Sequence, residues 1–196
     1  MLQMELRRID LGGRSIAVSG AEGLLRLPKK LGLFCSIKCL GSLILKAFEF
    51  ARVVRTAESP VVSGFQSPIE KDCLDTLLRG PGPIIICLAR RITTSRLSRE
   101  WQRSMKEGRL LLLSPFNEMQ KRVTADLAFE RNRLVASLAD EVLIVYAHPG
   151  SKTEALASEV LGAGKRVYTF QHGANKKLIQ SGAVPVEPEF FAAKQL

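Results

Sequence analysis

From Leu31 onward, short apolar runs alternate with longer stretches in which apolar residues recur at helical spacing. Leu31-Gly32-Leu33-Phe34-Cys35 is the first run, and Leu43, Leu45, Phe48, Ala51 and Val54 then mark one helical face. The pattern predicts strands at residues 31–35, 61–64, 83–88, 109–113, 142–146 and 166–170. It predicts helices at 41–55, 68–79, 124–138 and 151–161, with shorter ones around Trp101 and at 176–181. Pro68 opens one helix where its missing N–H costs nothing, and Gly80-Pro81-Gly82 ends it.

Strands that are apolar throughout, separated by amphipathic helices, belong to a parallel sheet covered on both faces. The expected fold is therefore a three-layer α/β/α domain with a doubly wound, mainly parallel, Rossmann-like sheet. In such sheets ligands sit outside the carboxyl ends of the strands, so the loops after each strand are where chemistry is sought. The alternation covers residues 31–186; residues 1–30 read as a basic N-terminal extension, with a helix or strand around 20–27, and 187–196 as a C-terminal tail.

The chain has 196 residues, 46% of them hydrophobic, which suits one domain with a sizeable core and excludes a disulfide-stapled miniprotein, a fibre or a disordered chain. No apolar run is long enough to cross a bilayer, and Glu5, Arg7, Arg8 and Asp10 occupy the stretch a secretory leader would keep apolar. The expectation is a soluble, cytoplasmic protein without membrane contact. Cys35, Cys39, Cys73 and Cys87 form no Cys-x-x-Cys pair and lie far from His148 and His172, so they read as structural thiols and no metal is expected. No cofactor is expected either. Gly162-Ala163-Gly164-Lys165 falls between a helix end and a strand start, the reverse of a phosphate loop, and no Gly-x-Gly-x-x-Gly follows the first strand. A net charge of +10, spread along the chain, favours a polyanionic ligand modestly; aromatics at 6% are sparse for a stacking platform.

Four strand-end loops share one chemistry: Cys35-Ser36-Ile37-Lys38, Ser63-Gly64-Phe65-Gln66-Ser67, Ser114-Pro115-Phe116 and Pro149-Gly150-Ser151-Lys152-Thr153-Glu154. Hydroxyl residues and glycine at a helix start leave N–H groups aimed at one place, as a phosphate requires. Any one of these serines is explained by helix capping, worth about 1 kcal/mol. Four such loops on one sheet edge favour an anion site. Lys38 and Lys152 add point charges, and Arg131-Asn132-Arg133 offers bidentate donors if its helix packs beside the 142–146 strand.

These pieces resemble the DNA-processing protein A (DprA/Smf) family from about Leu31 to Val186. The matching motifs run in family order: Val62-Ser63-Gly64 with Glu70, Gly108-Arg109-Leu110-Leu111-Leu112-Leu113-Ser114-Pro115, Phe129-Glu130-Arg131-Asn132-Arg133-Leu134, Gly150-Ser151-Lys152-Thr153-Glu154-Ala155, and Asn175-x-x-Leu178-Ile179-x-x-Gly182-Ala183. The resemblance implies a Rossmann-like domain that binds single-stranded DNA in a basic pocket, forms a homodimer and helps load RecA during natural transformation. The expected DNA- or phosphate-binding residues are Ser36, Lys38, Ser63, Gly64, Arg131, Asn132, Arg133, Gly150, Ser151, Lys152 and Thr153. The sequence departs from the family at Cys35-Ser36-Ile37, where Gly-Ser-Arg is usual, at Pro68, where glycine is usual, and at Glu70, where aspartate is. The family's helical N-terminal domain and winged helix lie outside the resemblance, so a single-domain member is expected.

Two alternatives stay open: a sensor that binds a nucleotide, and an enzyme. The 149–154 loop is also similar to the Pro-Gly-Gly-x-Gly-Thr-x-x-Glu loop of nucleoside-monophosphate phosphoribohydrolases, although the second glycine and the Gly-Thr spacing are absent. Under that reading Glu154 is the catalytic carboxylate and Arg131 the phosphate clamp.

Overall fold

The computed structural model describes residues 5–94, 97–117 and 119–194. Its strands are β1 (Arg7–Leu11), β2 (Arg14–Gly20), β3 (Leu31–Phe34), β4 (Val61–Ser63), β5 (Ile84–Cys87), β6 (Leu110–Ser114), β7 (Glu141–Ile144), β8 (Val167–Phe170) and β9 (Val184–Val186). They form one sheet in the order β1-β2-β6-β5-β4-β3-β7-β8-β9. All neighbours from β6 to β9 are parallel, while β2 runs antiparallel to β6 and to β1. The helices are α1 (Gly41–Val54), α2 (Pro68–Leu77), α3 (Arg99–Lys106), α4 (Ala125–Leu138), α5 (Lys152–Gly162), α6 (Lys176–Gln180) and α7 (Phe190–Ala193). The mainly parallel, doubly wound α/β architecture expected from the hydrophobic pattern is the one observed.

The strands are apolar throughout because both faces are covered. Ile84 and Ile86 join Leu110 and Leu112 in one core layer with Leu43, Phe50 and Leu74 of α1 and α2. Ile85, Cys87, Leu111 and Leu113 point the other way, toward Leu134 and Val135 of α4 and Leu156 of α5. The thiols of Cys73 and Cys87 are buried in these layers, and burial pushes both up to about 12. Among the described residues no helix is long and apolar enough to cross a membrane.

The sheet carries strands beyond the six expected ones at both of its edges. Ala17 to Gly20 pairs with Leu111 to Ser114, so the segment that reads as an extension contributes two further strands, β1 and β2. Gly20 permits this pairing: it has φ +107°, and a Cβ there would lie 2.4 Å from the Leu110 carbonyl oxygen. At the other end β9 continues the parallel sheet, and Phe191 of α7 packs edge-on against Phe50, ring centroids 5.0 Å apart. Both partnerships join residues distant in the chain, which local periodicity does not register. The glycine-lysine segment behaves as a helix end: Gly164 is left-handed at φ +72°, and Lys165 Nζ donates to the carbonyls of Ala136 and Ala139 at the C-terminus of α4.

Candidate functional site

The chain fills the sheet from β3 to β6 in one direction and then returns to the far side of β3 with β7. This reversal opens a crevice at the carboxyl ends of β3 and β7, where doubly wound sheets place ligands. Ser36, in the loop after β3, clasps the two sides. Its N–H donates to the Tyr146 carbonyl at 2.9 Å, its Oγ accepts from the His148 N–H at 2.9 Å, and it lies 3.3 Å from Ser151 Oγ. Ser151 caps α5 by accepting from the Glu154 N–H at 3.2 Å. Gly150 takes φ +74° in the turn and donates its N–H to Glu154 Oε2 at 2.9 Å. The N–H groups of Lys152 and Thr153 then have no intrahelical acceptor, as expected for a helix's first turn.

The loop after β4 is built around two buried charges. Glu70 of α2 accepts from the Cys35 N–H at 2.9 Å, the Gln66 N–H at 2.8 Å and the Ser67 N–H at 3.2 Å, so one carboxylate joins the β3 and β4 loops. Its own N–H is capped by Ser67 Oγ, the reciprocal half of a capping box. Arg131 of α4, only 3% exposed, donates to the Cys87 carbonyl at 2.8 Å, to Gln66 Oε1 at 2.8 Å and to Asn132 Oδ1 at 2.7 Å. Burial pushes the guanidinium pKa down and the Glu70 carboxylate pulls it back up. Gly64 lies directly against this guanidinium: a Cβ at Gly64 would be 1.6 Å from Arg131 Nη1. Ser63 is fully buried, and its Oγ accepts from the Phe65 N–H at 3.1 Å, bracing the loop.

Between these loops and the starts of α4 and α5 lies a cavity of about 340 Å³. Arg131, Asn132, Lys152 and Thr153 supply polar wall, while Ile37 and Phe129 supply apolar wall. Lys152 Nζ pairs with the exposed Asp126 at 2.6 Å and stands 5.7 Å above the Phe129 ring. That contact with Lys152 holds the Asp126 carboxyl below its ordinary pKa. Lys38 is exposed on the loop beside Ile37, which is itself 78% exposed.

The structure thus brings Arg131, Asn132, Lys152 and Thr153 to one cavity, sets Gly64 against the Arg131 guanidinium, and places Gly150 and Ser151, the latter beside Ser36, on a neighbouring crevice. It does not bring Arg133 to that cavity. Arg133 makes a two-pronged pair with Glu159, lies 4.4 Å over Phe129, and lines a separate hollow between α4 and α5. The expectation that this helix packs beside the 142–146 strand gives way to packing of α4 across β3, β4 and β5. Ser114 also serves structure, with its Oγ donating to the Arg90 carbonyl and accepting from the Phe116 N–H. Glu70 and Gln66 were absent from the expected set. Ser67-Pro68-Ile69-Glu70 signals a capping box, but nothing local signals the reach to Cys35.

Glu154 and Arg131 line separate hollows. Glu154 lines a different crevice of about 220 Å³ against α6 and pairs with Lys177 at 2.9 Å. The Gly150 N–H, and then Lys177, hold its carboxyl below the ordinary range. The stabilisation this gives the turn is full above the ordinary Glu pKa and is lost as pH falls through the lowered folded value. An NMR titration of the Gly150 amide is expected to show its resonance moving in that acidic window.

Solved structures share this architecture. DNA processing protein A from Streptococcus pneumoniae matches with a TM-score of 0.74 at 19% identity, over 93% of this chain and 66% of that one. DNA processing protein A from Helicobacter pylori, described with a single-stranded DNA binding mode, matches with a TM-score of 0.79 at 16% identity, over 97% of this chain and 95% of that one. The molybdenum cofactor carrier protein of Chlamydomonas reinhardtii shares the fold more loosely, with a TM-score of 0.57 at 16% identity over 85% of this chain and 96% of that one. No curated protein matches the sequence. The family model of DNA recombination-mediator protein A covers residues 15–191, taking in β2 from its second residue, every loop of the crevice and the start of α7, and the chain belongs to that family.

Proposed function

We propose that this chain binds single-stranded DNA along the carboxyl edge of its sheet. The observation that carries the reading is the cavity at the β3–β7 reversal, where a helix start and Lys152 adjoin the apolar surfaces of Phe129 and Ile37. Cationic and N–H donors beside apolar ring surface suit a nucleotide unit, phosphate on one side and base on the other. The H. pylori relative's described DNA binding supports the same ligand. On this reading Lys38, Lys152 and the N–H groups of Lys152 and Thr153 meet phosphate, and Asn132 and Phe129 meet base or sugar. Arg131, Ser36, Ser63, Gly64, Gly150 and Ser151 are positioning residues that hold the walls. RecA and a second copy of the chain are the protein partners, and the cytoplasm is the compartment, that complete the reading.

The test is fluorescence anisotropy with a labelled oligo-dT of about 20 nucleotides across a salt series, with AMP as competitor. Affinity is expected to fall steeply with salt and to resist AMP. The Lys38→Ala and Lys152→Ala variants are each expected to lower the salt slope by about 0.7, the value for one single-strand phosphate contact, with the urea midpoint unchanged. The Asp126 pair of Lys152 is a surface one and yields readily to phosphate. Unaltered affinity and slope in both variants would remove the site from this cavity. Displacement by AMP would make a nucleotide the ligand. Size-exclusion light scattering, alone and with RecA, checks the partners.

A further inference from the structure

A concavity larger than the switch-point cavity plays no part in the site above. It is a groove of about 1050 Å³ between α2, the loop after β5 and the start of α3. Its apolar lining comes from Phe65, Leu74, Leu78, Leu88, Leu97 and Trp101. Trp101 is half-buried, packed on the core yet presented to the groove. The rim carries Lys71, Arg90, Arg91 and Lys121 against two carboxylates, Asp75 and Glu100. Lys71, Arg90 and Lys121 are exposed. None of these three takes part in an ion pair among the described residues. The Arg91 N–H donates to the Gln120 carbonyl at 2.9 Å, which fastens the segment leading to Lys121 against the β5 loop.

This groove adjoins the switch-point cavity. Phe65 lines the groove while the next residues, Gln66 and Ser67, line the cavity; Lys121 lines the groove and Val123 the cavity. Both hollows open on the carboxyl edge of neighbouring parallel strands. An excess of cations around a ring-bearing apolar floor is the combination that tracks a phosphate backbone and stacks bases. The groove holds about three times the volume of the cavity, room for a continuing strand rather than for one nucleotide.

We propose that single-stranded DNA seated in the switch-point cavity continues over the β4 loop into this groove, where a base stacks on Trp101 and Lys71, Arg90 and Lys121 hold the phosphates. The inference rests on the DNA-binding reading above and adds a second stretch of contact with its own residues. The single-stranded ligand is favoured by its continuity with the cavity and by the cationic rim.

Trp101 is the chain's single tryptophan, so its emission reports on this groove. The experiment titrates the full chain with labelled oligo-dT of about 20 and of about 4 nucleotides, reading label anisotropy and tryptophan emission together. The longer strand is expected to quench Trp101, and the shorter one to bind more weakly and leave its emission unmoved. Charge reversal at two rim positions, Lys71→Glu with Lys121→Glu, is expected to weaken the longer strand by roughly tenfold or more and abolish the quench. Binding of the shorter strand is expected to stay within about twofold, since the cavity keeps its cations. Trp101→Ala is expected to weaken the longer strand by roughly tenfold, the loss of one stacked base. Anisotropy showing binding while Trp101 emission and the charge-reversed variant's affinity stay unchanged would overturn the groove and leave the cavity reading standing. No anisotropy change with either strand would instead overturn the cavity reading, and the groove with it. Quenching by an acidic peptide but not by DNA would overturn the DNA assignment in favour of a protein partner.

Discussion

Replacing Arg131 with alanine is expected to cost about 3–5 kcal/mol of stability, the loss that follows when one member of a buried charge network is removed. It is also expected to abolish oligonucleotide binding. The guanidinium is 3% exposed and holds the Cys87 carbonyl, the Gln66 side chain and the Asn132 side chain. Without it these acceptors lose buried donors, at about 1–3 kcal/mol for each one left unsatisfied. Arg131→Lys is not expected to rescue, because one ammonium lacks the planar fork that reaches three acceptors in different directions. Gly64→Ala attacks the same contact from the other side, since its Cβ would fall 1.6 Å from Arg131 Nη1. Gly64→Ala is therefore expected to destabilise strongly in the otherwise unchanged chain and only slightly in one that already carries Arg131→Ala. Urea unfolding of the two single variants and the double variant measures the coupling. Strict additivity would show that the β4 loop does not depend on this contact.

Glu70→Gln is expected to cost about 2–3 kcal/mol and to loosen two loops at once. The carboxylate accepts from Cys35, Gln66 and Ser67, and a carboxylate is all acceptor. Glutamine keeps one acceptor oxygen and turns an NH2 toward an N–H donor, so at least one of the three bonds is replaced by a donor–donor clash. The Cys35 bond spans the gap between the β3 and β4 loops, so losing it frees the segment that carries Ile37 and Lys38. Amide hydrogen exchange is expected to accelerate at Cys35 and Gln66 while amides in β5 and β6 keep their protection. Unchanged exchange at Cys35 would mean that the loop is held by Ser36 alone. Oligonucleotide affinity is expected to fall alongside, because Lys38 loses its fixed position.

The two expectations share a cause. The serines that signal an anion site act mostly on the protein itself. Ser36 clasps, Ser63 braces, Ser67 and Ser151 cap, and the same bonds that make the loops rigid also hold the cavity open. Of the Arg-Asn-Arg run, Arg131 is a strut and Arg133 is paired with Glu159; Asn132 alone has its side chain in the cavity wall without being buried as a support. The exposed cations Lys38, beside the cavity, and Lys121, on the adjoining groove, lie in loops with no strong motif. A motif marks where a structure must be rigid as readily as where a ligand binds.

What the sequence determined by itself was set by short-range physics. A helix face repeats within four residues, a buried strand is apolar throughout, and a cap needs its partner three residues on. These rules placed β3 to β8 and α1, α2, α4 and α5 to within a few residues, set helix starts at Thr124 and Ser151, which prove to be the caps, and identified Gly164 as a helix end. The order of the motifs carried the family. What only the tertiary structure decided are bonds between residues far apart in the chain. Ala17 meets Ser114, Phe50 meets Phe191, Glu70 reaches Cys35, and Arg131 crosses from α4 to the end of β5. Whether an arginine faces solvent or props up a loop depends on which strands its helix packs across, and strand order is settled by closing loops and burying both sheet faces together. No window of neighbouring residues contains that information, so the fold class was legible early and the division of the site into struts and contacts was not.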